Sequence, residues 1–115
     1  MTMFQSLARY NAWANRRLYQ SCSALGDDEI RLPRPSFFGS ILATLNHGLV
    51  GDMLWMERFT GGEGCGIPSL DHILHEDFTA LSTARAAFDD TIIVFFDGFS
   101  GDPEAMFNYH TIAGT

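Results

Sequence analysis

Apolar positions recur at helical spacing through most of this chain. Between residues 3 and 25, Phe4, Leu7, Ala8, Ala14, Leu18, Cys22 and Leu25 fall three and four residues apart, and Asn11 shares their stripe. This spacing predicts a helix that Gly26 stops. The next segment, DDEIRLPRPS over 27–36, is predicted to be a linker, because Pro33 and Pro35 forbid regular helix there. Ser36 is a candidate N-cap for a second helix over 37–60. Phe38, Ile41, Leu42, Leu45, Leu49, Met53 and Met56 make its main stripe, and Ala43, Val50 and Leu54 lie elsewhere on the cylinder. A helix apolar on most sides is buried on most sides, so this one should be central.

GGEGCGIPS, 61–69, is a loop by composition. Ser69 can cap a third helix over about 70–98, with His72 where a capping box would place Glu or Gln. Leu70, Leu74, Phe78, Leu81, Phe88, Ile92, Phe95 and Phe99 fit one stripe. IIVFF could stand alone as a strand, but the stripe enters it in phase and favours helix. Gly98, Gly101, Asp102 and Pro103 end the pattern, and AMFNYH, 105–110, alternates like a short strand that would need a partner. The class is therefore all-α with one short C-terminal strand.

Composition narrows the function. The 115 residues suffice for one domain, and 46% apolar content can fill a core. Net charge is −7 and the chain has no lysine, which disfavours a phosphate backbone as partner. The longest strictly apolar run, Ile92 to Phe96, is far short of the ~20 residues that span a bilayer. The N-terminus lacks the charged, apolar and small-residue order of a secretion signal. Cys22 and Cys65 then read as free thiols of a cytoplasmic protein.

Few residues carry candidate chemistry. His47 sits within SILATLNHGLVGD, ringed on a helical wheel by Ser40, Ala43, Thr44, Val50, Gly51 and Leu54. These mostly small neighbours allow a close helix approach and a pocket around the imidazole, a common metal ligand in bundle cores. The residue type alone favours a buried histidine satisfied by one hydrogen bond. His72 and His75, with Glu76, share one face of the third helix at i, i+3. A solvated first turn with dipole-favoured acids explains them better than a metal site. Asn11 and Asn15 are buried amides that either fix helix register or line a pocket. Tyr10 and Trp13 share a face and, with Trp55, suit core or dimer packing. GGEGCG lacks the GK[ST] ending of a phosphate loop, and neither a GxSxG elbow nor a Cys–His nucleophile pattern is present.

Several of these pieces coincide in one resemblance. LARYNAWANRRLY resembles the opening helix of the DinB-like family of small four-helix proteins. FFGSILATLNHGLVGDMLWMERFTG, with its LNH followed by D and W, resembles the second helix. LDHILHEDFTALSTARAAFDDTII resembles the third, and FNYHTIAGT the start of the strand pair before the last helix. The resemblance implies an up-down helical bundle, usually a homodimer, holding zinc or nickel through three histidines. His47 matches the ligand on the second helix, and the family's other two ligands form an HxxxH on the fourth. It also implies a small-molecule substrate, in a hydrolase or in a transferase using a low-molecular-weight thiol. No HxxxH occurs in this sequence, and His110 is a single histidine in the expected strand. The expectation is thus one DinB-like domain over 1–115 lacking its C-terminal helix. The alternative is a non-catalytic relative that serves as an oligomerising or binding module.

Overall fold

A computed structural model of the chain describes residues 2–35, 38–61, 67, 69 and 72–99. Helix α1, Met3–Ser23, opens with a capping box: the Thr2 hydroxyl accepts from the Gln5 amide at 3.2 Å, and the Gln5 side chain accepts from the Thr2 amide at 2.7 Å. Gly26 lies beyond its end and leads into α2, Asp27–Arg31, in the segment expected to be only a linker. The turn forms because Asp27, Asp28 and Glu29 sit at its positive end and Arg31 pairs with Asp27 at 3.0 Å. Ile30 anchors it in the core, and the prolines act one residue later: Leu32, before Pro33, is already extended.

Helix α3, Ile41–Thr60, starts later than expected. Ser40 caps it, accepting from the Ala43 amide at 3.0 Å, after Gly39 turns the chain at φ 90°. The expected cap, Ser36, lies outside the described residues. Gly61 closes α3 in the left-handed region at φ 70°, where a Cβ is disfavoured. Helix α4, Phe78–Gly98, also starts late, capped by Asp77 rather than Ser69. The fully buried Asn46 explains the shift. Its side chain accepts from the His75 amide at 3.0 Å and donates to the His75 carbonyl at 3.1 Å, taking both backbone groups. Ile92 to Phe96 is helical, as the stripe predicts. The expected strand over 105–110 lies outside the described residues.

Side-chain pairings set the helix directions. Phe4 stacks on Phe96 and Tyr19 on Phe78, so α1 and α4 are antiparallel. Leu45 and Leu49 share a cluster with Leu81, Asp52 meets Arg85, and Met56 joins Ile92 and Phe96. Helices α3 and α4 therefore run the same way, which corrects the alternating up-down order. The start of α4 thus lies beside the first half of α3, where Asn46 binds His75 and Leu45 and Leu49 meet Leu81.

The apolar core has two halves. One gathers Tyr19, Cys22, Ile30, Leu42, Leu45, Leu49 and Leu81, and the other Ala8, Met56, Ile92 and Phe96. Between them every long helix contributes polar groups: Asn11 and Asn15 from α1, Asp52 from α3, Arg85 and Asp89 from α4.

Candidate functional site

This polar layer is where the interior departs from simple packing. Arg85 and Asp89 are 4% and 3% exposed, a burial that charged residues tolerate only when paired. They lie one helical turn apart, so the Arg85 side chain reaches along α4 to its partner. Its Nε donates to Asp89 Oδ1 at 3.0 Å and its Nη2 to the same oxygen at 2.7 Å. Nη2 also donates to Asp52 on α3. From α1, Asn11 donates to Asp89 Oδ1 at 3.2 Å and Asn15 to Oδ2 at 3.1 Å. One guanidinium thus faces two carboxylates, and two amides complete the shell of Asp89. Burial pulls the Arg85 pKa down, but hydrogen bonds to Asp89 and Asp52 outweigh it and hold it above its ordinary value.

The layer ties α1, α3 and α4 at one height. Sliding α1 by one residue would turn both amides away from Asp89, so the layer fixes register. It also borders two openings. On one side is a cleft of about 190 Å³ lined by Asn15, Arg16, Tyr19, Gln20, Ser82 and Arg85, among others. On the other, an apolar groove between α1 and α3 has Asn11 and Asp52 among its lining, with Leu7, Trp55 and Phe59. Beside the cleft, Tyr19 is 6% exposed and its buried hydroxyl has no hydrogen-bond partner among the described residues. Burial pushes this phenol up to about 12. Burial likewise raises the Cys22 thiol, which makes it a packing residue rather than a nucleophile.

His47 stands apart from this layer. It is half-buried on α3, and its ring stacks on Phe38 with centroids 4.0 Å apart. The expected close helix approach around it does not occur among the described residues: no atom lies within 4 Å of where a Cβ would sit at Gly48 or Gly51. Zinc sites need three or four protein donors. Among the described residues no group of three His, Cys, Asp or Glu side chains could hold a metal ion. His47 is one suitable donor, and the described residues do not complete a centre around it. His72 and His75 precede α4 and do not share a helical face as expected. His110 and Cys65 lie outside the described residues.

A family model described as DinB family matches residues 1–99. The chain belongs to the DinB family. The match covers α1 to α4, and hence both the polar layer and His47. DinB members are helical and generally metal-associated, and the all-helical described structure agrees with the first property. No curated protein and no solved structure matches the chain. Among the described residues no helix is long and apolar enough to cross a membrane.

Sequence reading singled out Asn11 and Asn15 but missed their acceptor. A signal existed: in ARAAFDD, Arg85 and Asp89 are four apart on the helix with mostly apolar neighbours. Nothing local in the sequence marks Asp52 as the third member, since the contact spans 33 residues. Tyr10, Trp13 and Trp55 are 64%, 46% and 48% exposed, so none is core. Arg17 and Arg58 lie over the Trp13 and Trp55 rings at 5.3 and 5.5 Å.

Proposed function

We propose that this DinB-family protein acts on a small organic molecule and that His47 is the α3 ligand of a divalent metal, zinc or nickel. The reaction class is hydrolysis or group transfer to a low-molecular-weight thiol, in the cytoplasm. The observation that carries the reading is the placement of His47. It is half-buried on α3, outside the Arg85 layer, and within the segment that matches the family. Asp52, on the same helix, is engaged by Arg85, and an imidazole is a common metal ligand. The remaining donors would come from outside the described residues, so no chemical step is derived through the metal. The test is metal content of the full chain after exposure to zinc or nickel. The wild type should retain metal and His47→Ala should lose it; a wild type that retains none overturns the assignment.

A second reading rests on a different observation. Leu7 and Trp55 are exposed and line the apolar groove between α1 and α3. Exposed apolar surface of this kind suits association, here a homodimer without chemistry of its own. Sedimentation velocity over a concentration series should show a dimer that Trp55→Glu weakens. A monomer at every concentration removes this reading.

A further inference from the structure

The cleft between α1 and α4 has an uneven hydrogen-bonding inventory. Its one carboxylate, Asp89, is already engaged: Oδ1 accepts from Asn11, Asn15 and Arg85, and Oδ2 from Asn15. The donors around it are not used up. Arg85 engages Asp89 and Asp52 through Nε and Nη2, and among the described residues its Nη1 has no partner. Arg16 lines the cleft and has neither an ion pair nor a hydrogen bond among those residues. Ser82 lines it with a hydroxyl that is unengaged among those residues. A site with spare N–H and O–H donors favours a ligand rich in acceptors.

We propose that this cleft binds a small oxyanion, the carboxylate or phosphate group of a small molecule, through Arg16, Arg85 and Ser82. Its volume of about 190 Å³ is enough to admit a small molecule. Positive charge favours the same ligand class. Two guanidinium groups, Arg16 and Arg85, line the cleft against one carboxylate, Asp89, while Asp52 lies on the opposite, α3 side of the layer. The site is separate from His47 and does not depend on a metal.

The test is an NMR titration of the full chain with inorganic phosphate and with acetate, at ionic strength held constant with sodium chloride. Saturable shifts at the Arg85 side chain and the Ser82 amide are expected with at least one probe. Arg16→Gln, at an exposed position, should weaken that binding roughly tenfold, the loss of one charge-assisted contact. Saturation by phosphate alone assigns a phosphate-bearing ligand, and by acetate alone a carboxylic acid; either supports the site. Shifts that chloride reproduces, no saturation with either probe, or equal affinity in Arg16→Gln would overturn it.

Discussion

Replacing Asp89 by alanine tests whether the polar layer holds the bundle together. The substitution removes the acceptor of two Arg85 contacts, at 3.0 and 2.7 Å, and of the Asn11 and Asn15 amides. Arg85 stays buried at 4% exposure with Asp52 as its one remaining anion. Leaving a charge buried after its partner is removed costs about 3–5 kcal/mol. That is a large share of the roughly 5–15 kcal/mol that stabilises a domain. With an unfolding entropy near 2.1 cal/mol/K per residue, 115 residues give about 0.24 kcal/mol/K and a midpoint drop of about 12–20 °C. Circular dichroism melts and urea titrations of the full chain measure it. The double variant Arg85→Met with Asp89→Leu provides the control, because removing both charges leaves neither stranded. It should be more stable than Asp89→Ala, with a coupling of about 2 kcal/mol between the two positions. A loss below about 1 kcal/mol for Asp89→Ala, or strict additivity of the pair, would refute the reasoning.

Other expectations follow from single groups. Asn46→Ala unpairs both backbone groups of His75 and should cost about 2–3 kcal/mol, with faster hydrogen exchange at the His75 amide. Gly61→Ala places a Cβ at φ 70° and should cost about 1 kcal/mol in urea unfolding. The phenol of Tyr19 is raised from 10.0 to about 12, so the folded state keeps its proton longer than the unfolded chain. Stability that is full below pH 10 is then lost as pH rises toward 12. Tyr19→Phe should flatten that part of the urea-midpoint profile and, by removing an unpaired buried hydroxyl, leave neutral-pH stability unchanged or higher.

How much of this was legible in the sequence depends on the range of the forces involved. The long helices were readable because apolar spacing is local: the stripe from Phe78 to Phe99 carried IIVFF into helix, where propensity alone suggested strand. Boundaries were less readable. Ser69 and Ser36 looked like caps, but Asp77 and Ser40 do the capping. Residues 72–77 stay non-helical because Asn46, 29 positions away, binds the backbone of His75. The parallel course of α3 and α4 has no local signature. Of the candidate residues, Asn11 and Asn15 were visible as amides on or beside an apolar stripe, whereas their ion-pair partners needed the fold to meet. His47 was legible through resemblance, since its chemistry depends on groups that its own helix does not supply.

The most direct test of the functional account is a zinc competition titration against a colorimetric chelator, run on the full chain and on His47→Ala in parallel. The account predicts a saturable site in the wild type and at least about a hundredfold weaker binding in the variant, the scale expected when a ligand is lost from a metal site. Equal zinc affinity in the two proteins, or none in either, would contradict it.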